Sequence, residues 1–143
     1  MIEVTDKTLA QLCLEASAKY KDRPALAMIK DGEICRQISY AQMGSRAGQL
    51  GLLLRQLGVE KGGRVLLFSE NCPEWPLFYF GIALAGAVSV PLLPGFSAEQ
   101  INNITAHAGI SAICLSRGMA DKFERQNLPV FSQIPFKIGR AHV

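Results

Sequence analysis

The chain has 143 residues, 49% of them apolar and 19% charged, with a formal net charge of +3. That balance suits one globular core and excludes an intrinsically disordered chain. The positive charge is small and unclustered, so a nucleic-acid partner is not expected.

Met1-Ile2-Glu3-Val4-Thr5-Asp6 lacks the basic start and apolar core of a signal peptide. The four cysteines, Cys13, Cys35, Cys72 and Cys114, stand far apart and form no C-x-x-C pair. Each has apolar neighbours, which predicts small buried thiols rather than metal ligands, in a reduced, cytoplasmic protein.

Thr5 or Asp6 is expected to cap a first helix, with Leu9, Leu12, Cys13, Ala16 and Tyr20 at helical spacing. Lys21-Asp22-Arg23-Pro24 ends it. Two apolar runs, Ala25 to Ile29 and Ile34 to Ile38, flank Asp31-Gly32, a pair favoured in two-residue hairpin turns. Ser39 with Gln42 forms a capping box, so a second helix should start at Tyr40. Met43, Ala47, Leu50, Leu54 and Leu57 make its apolar stripe; Gly58 supplies a left-handed stop and Val59 can pack back. Gly44-x-x-x-Gly48 has the spacing of a membrane dimer motif, but Arg46, Gln49 and Arg55 argue against that use.

The stretch from Arg64 to Pro94 organises the rest. Arg64 to Ser69 is apolar without alternation, as in a strand buried on both faces of a parallel sheet. Trp75 to Ala87 is apolar all round and should be a buried helix. Val88-Ser89-Val90-Pro91 is a second strand stopping at proline, which completes a βαβ unit. No residue from Trp75 to Ala98 is charged, a length that could span a bilayer. Pro91, Pro94 and Gly95 lie inside the window, and Glu70, Glu74 and Glu99 flank it without a Lys/Arg cluster. A soluble core is therefore expected, with no transmembrane span.

A second capping box, Ser97 with Gln100, opens a helix placing Ile101, Ile104 and Ala108 inward and ending at Gly109. Ile110 to Leu115 reads as a third buried strand, Ser116 to Gln126 as a weak amphipathic helix, and Val130-Phe131 as the start of another strand. The fold class is α/β: a parallel-sheet βαβ core preceded by a helix, a β-hairpin and a second helix.

Ligands in open parallel sheets bind at the carboxyl ends of the strands. Ser69-Glu70-Asn71-Cys72-Pro73 stands there without a glycine, so it is no dinucleotide fingerprint. Asn71 could touch a ligand, but capping the helix that begins at Pro73 is its expected role. Trp75 could line an apolar pocket, although core packing is the plainer reading. His107 falls near a helix end, where it would favour the terminal carbonyls. A stand-alone binding module would need its ligand site at Asn71 or Pro94. No catalytic, cofactor-binding or metal-binding residue is assigned from the residues themselves.

Four segments in order resemble the AMP-forming, adenylate-forming synthetase/ligase superfamily. Ile38-Ser39-Tyr40-Ala41-Gln42-Met43 is similar to its first core motif, L-[TS]-Y-x-E-L. Leu57-Gly58-Val59-Glu60-Lys61-Gly62-Gly63-Arg64-Val65 resembles L-G-V-x-x-G-D-R-V. Ser69-Glu70-Asn71-Cys72-Pro73-Glu74-Trp75 resembles the S-E-N-x-P-E-W of acyl-CoA synthetases. Ala83 to Leu92 is similar to L-K-A-G-x-A-Y-V-P-L. Gln42 and Gly63 depart from the usual Glu and Asp, at capping and turn positions.

The resemblance implies a fatty-acid–CoA ligase. Such an enzyme joins a small-molecule carboxylate, here a medium- or long-chain fatty acid, to ATP and then transfers the acyl group to coenzyme A, with Mg2+ on the polyphosphate. Another adenylating enzyme, such as a peptide-synthetase adenylation domain, is the alternative. The family's phosphate loop and catalytic lysine follow the region seen here, so 1–137 is expected to be part of an N-terminal subdomain, inactive alone, with possible peripheral membrane contact. Residues 138–143 match one reading frame of a common sequencing adapter and are expected to be a non-native tail.

Overall fold

The computed structural model of the chain describes residues 7–120 and 137–138. Helix α1 (Leu9–Tyr20) is capped by Thr8, not by Thr5 or Asp6, through reciprocal bonds between Thr8 and Gln11. The T-x-x-Q box supplies two backbone partners where a lone cap supplies one, so the cap sits nearer the helix than expected. Of its apolar residues Cys13 is buried, whereas Leu9 is 46% exposed.

Strands β1 (Pro24–Lys30) and β2 (Glu33–Ser39) pair antiparallel around Asp31 and Gly32. Both turn residues have positive φ, 54° and 83°, the pairing a tight hairpin turn requires. Helix α2 (Tyr40–Gln56) starts at the Ser39–Gln42 box and buries Met43, Ala47, Leu50 and Leu54. It ends as a Schellman motif. Val59 N–H donates to Leu54 C=O at 3.0 Å, Gly58 N–H to Arg55 C=O at 3.0 Å, and Gly58 takes φ 88°. Val59, 2% exposed, packs back on Leu54.

Strand β3 (Arg64–Phe68) runs between two parallel neighbours, β4 (Val88–Leu92) and β5 (Ile110–Leu115). A short β6 (Lys137–Ile138) pairs with β5, giving the order β4-β3-β5-β6. Strand β4 does not stop at Pro91 but runs on to Leu92. Among the described strands it lies at the sheet edge, where a missing N–H costs no ladder bond.

Val65, Leu66, Leu67 and Phe68 are each at most 1% exposed, as a two-faced burial demands. Val65 and Leu67 point with Ala112 and Cys114 toward Leu50 and Leu54 of α2 and toward Phe78 and Ile82. The latter two belong to helix α3 (Glu74–Leu84), which is shorter than the expected Trp75 to Ala87 because Gly86, at φ 74°, turns the chain out. Leu66, Phe68, Ile113 and Leu115 face Ile101 and Ile104 of helix α4 (Ala98–Ala108) on the opposite side. A third cluster of Cys13, Ile38, Met43, Ala47 and Leu77 fastens α1 and the hairpin to α2 and α3.

The apolar stretch from Trp75 to Ala98 thus divides among α3, β4, the connections that follow each, and the first residue of α4. Among the described residues no helix is long and apolar enough to cross a membrane. Residues 117–120 are helical. The rest of the helix expected to Gln126, and the strand expected at Val130-Phe131, lie outside the described residues.

Gly51 and Gly81 set the approach of α2 to α3: a Cβ on Gly81 would stand 2.6 Å from Leu50 Cδ2, and one on Gly51 3.1 Å from the Gly81 carbonyl. Gly44 gives α1 room in the same way, since a Cβ there would overlap the Ser17 side chain. Gly48, the partner in the supposed dimer motif, has nothing within 4 Å.

Candidate functional site

Strands β3, β4 and β5 end on one side of the sheet, and the chain leaves β3 and β5 in opposite directions. After β3 it turns into α3, whose Phe78 and Ile82 cover one face. After β5, Met119 and Ala120 pack on the other. The crevice between two such diverging connections is where open α/β sheets place ligands.

The floor of the crevice is a polar network. Ser116 N–H donates to Phe68 C=O at 3.2 Å, extending the β3–β5 pairing by one step. The Ser116 hydroxyl donates to the Glu70 carboxylate and accepts Met119 N–H at 3.3 Å, so it caps the turn that follows. The Ser69 hydroxyl donates to Glu70 C=O at 2.9 Å and lies 3.6 Å from Cys72 Sγ. Glu74, 5% exposed, accepts a bond from the Arg36 guanidinium of β2. Burial pushes its carboxyl up, but the bond and charge of Arg36 outweigh that and hold it below the ordinary value.

Three openings adjoin these residues. Ser69, Glu70, Cys72, Glu74, Cys114 and Ser116 help to line a narrow cavity of about 20 Å³. An open cleft of about 430 Å³ lies at the ends of β3 and β4, lined by Ser69, Asn71, Trp75, Pro91, Leu92, Leu93 and Pro94. A third, of about 300 Å³, separates Leu26 to Ile29 of the hairpin from Asn71, Cys72, Pro73 and Pro76.

Asn71 does not cap α3. The cap position is Pro73, already helical at φ −60° and ψ −22°, with no side-chain cap bond. Pro73 starts the turn by its own ring constraint, which leaves Asn71 exposed on the rim of both clefts. Trp75 plays both roles weighed for it. It packs on the core, stacks on Tyr79 with centroids 5.3 Å apart and planes 12° apart, and walls the larger cleft. Asn71 and Pro94, distant in sequence, meet in that cleft. His107 is exposed in the last turn of α4, away from it.

The cysteines divide. Cys13 and Cys114 are buried as expected, and burial pushes the Cys114 thiol up to about 12. Cys35 is exposed, contrary to the expectation from its apolar neighbours, and its thiol donates to Met28 C=O at 3.3 Å. It stands among other exposed hairpin residues, Ile29 and Ile34, so apolar neighbours in sequence did not imply cover. Nothing in sequence spacing pointed to the Arg36–Glu74 and Ser116–Glu70 contacts, which join residues 38 and 46 positions apart.

The larger cleft is apolar apart from Ser69 and Asn71, and among the described residues that line it none is charged. It suits an apolar group with an amide at the rim. It does not make a seat for polyphosphate or magnesium, and among the described residues no cluster of three or more His, Cys, Asp or Glu could hold a metal ion.

A family model described as AMP-binding enzyme matches residues 13–135. The crotonobetaine/carnitine–CoA ligase of Salmonella paratyphi A is 32% identical over 113 residues, which are 79% of this chain and 22% of that protein. The chain therefore spans about a fifth of the length of the curated relatives it matches. Among solved structures, the N-terminal domain of FACL13 from Mycobacterium tuberculosis superposes with a TM-score of 0.80 at 23% identity, covering 93% of this chain and 34% of that one. A fatty acyl CoA synthetase of the same organism gives 0.75 at 23% identity, over 92% of this chain and 26% of its own. At that identity the two structures speak for the fold.

Proposed function

Because the chain belongs to the AMP-binding enzyme family, we propose that it is part of an acid–thiol ligase that activates a carboxylate with ATP and passes the acyl group to coenzyme A. The carboxylate is a medium- or long-chain fatty acid, ATP carries Mg2+, and the enzyme works in the cytoplasm, with peripheral membrane contact at most. Residues 1–137 form part of its N-terminal subdomain and do not catalyse alone; residues 138–143 are an adapter-derived tail.

The observation that carries this reading is the family match over residues 13–135 in a chain spanning 22% of a CoA ligase. The S-E-N-x-P-E-W wording at Ser69 to Trp75 favours an acyl-CoA synthetase over an amino-acid-activating domain.

The test is recovery of the longer reading frame, followed by pyrophosphate release from ATP with coenzyme A and a chain-length series of acids. The expected result is turnover by the long product that peaks at medium or long chains, and background rates for residues 1–143. A parent frame that stops shortly after Lys137, or turnover by the 143-residue chain itself, would overturn the proposal. In that case a stand-alone binding module would gain, for which the meeting of Asn71 and Pro94 in one apolar cleft is the supporting feature.

A further inference from the structure

Glu74 holds one carboxylate oxygen against Arg36, while the other, Oε2, is buried and has no hydrogen-bond partner among the described residues. The side chain is 6% exposed and borders the cavity of about 20 Å³ between the ends of β3 and β5. A charged acceptor kept ionised by Arg36 and shut away from solvent needs a donor.

We propose that this cavity is an internal water site, in which one buried water molecule donates to Glu74 Oε2 and bridges it to the Ser69 hydroxyl. Three properties of the cavity select water. Its volume is about that of one water and too small for a larger ligand. Its wall offers polar partners to one, because Ser69, Glu70, Cys72 and Ser116 line it together with Glu74. A metal ion lacks its ligand set, since among the described residues no group of three or more His, Cys, Asp or Glu is placed to hold one, although Glu70, Cys72, Glu74 and Cys114 all border the cavity. Ser89 Oγ and Asn102 Oδ1, the other buried oxygens without partners among the described residues, belong to residues that line none of the three openings.

The water completes a closure that the direct bonds leave half made. Ser116 already ties the end of β5 to Glu70 of the loop after β3. Through the water, the start of α3 joins the same network, so both connections leaving the crevice are pinned at one polar centre.

The experiment is a crystal structure of the 143-residue chain at a resolution that shows ordered water, beside the Glu74→Met variant. The expected result is one ordered water within hydrogen-bond distance of Glu74 Oε2 and of the Ser69 hydroxyl, lost in Glu74→Met because a buried water needs two or more polar partners and the variant removes the charged one. An empty wild-type cavity would overturn the proposal, as would a Ser69 or Cys72 side chain turned to donate directly to Oε2. Should Glu74→Met not fold, water-to-amide cross-relaxation on the wild type decides. A long-lived water contact to amides of residues 69–74 supports the site, and its absence overturns it.

Discussion

Arg36, in the middle of strand β2, pairs with Glu74, the first residue of helix α3, across 38 positions of sequence. The pair is lopsided: the Arg36 side chain is 34% exposed and that of Glu74 is 6% exposed. Its weight therefore lies in what happens to Glu74 when Arg36 is removed. Replacing Arg36 by Ala should destabilise the fold by roughly 2–3 kcal/mol, the cost of leaving a buried charge without its partner, trimmed for partial solvent access. Urea unfolding of the variant measures this, and a change under about half a kcal/mol would refute it.

The same pair predicts an acid limb. The folded Glu74 carboxyl lies below its ordinary value of 4.5, so its contribution is fully present above that pH and fades as pH falls through the lower, folded value. Wild-type stability should drop more between about pH 7 and pH 3 than that of Glu74→Gln, which has no such proton to take up. Parallel slopes for the two proteins would count against it.

Glycine substitutions should separate by position. Gly81→Ala drives a methyl group into Leu50, 2.6 Å away, and should cost about 1–3 kcal/mol through overpacking, more than the helix propensity it gains. Gly48→Ala meets no atom within 4 Å and should stabilise α2 by about 0.5–1 kcal/mol. Thermal melts of the two variants should therefore shift in opposite directions.

Thiol alkylation of the native protein should mark Cys35 first, since it is exposed. Cys114, fully buried with its thiol pushed up to about 12, should react only after denaturation, because the thiolate is the nucleophile. Peptide mass spectrometry after timed labelling reads the order, and modification of Cys114 at the rate of Cys35 would contradict the packing described.

Features closed within a few residues were legible in the amino-acid sequence itself. The Ser39–Gln42 and Ser97–Gln100 boxes, the Asp31-Gly32 turn and the stop at Gly58 each need only neighbours a few positions away, and each stands where its pattern put it. The Thr8–Gln11 box was equally open to reading; the cap expected at Thr5 or Asp6 passed over it. The unbroken apolar run from Val65 to Phe68 already implied cover on both faces, since no polar side chain was available for solvent.

Tertiary structure alone decided which distant segments meet. Local periodicity says that α2 has one apolar stripe, but not that Gly51 rather than Gly48 faces α3. Nor does it set the order β4-β3-β5-β6, which brings Asn71 and Pro94 to one cleft and turns Glu70 toward Ser116. Hydrogen bonding and side-chain period are properties of a short stretch, whereas burial and ion pairing depend on whatever surface the rest of the chain presents. Glu74 shows the difference. In sequence it is an acidic residue suited to a helix N-terminus; in the fold it is a buried carboxylate held ionised by an arginine from the hairpin.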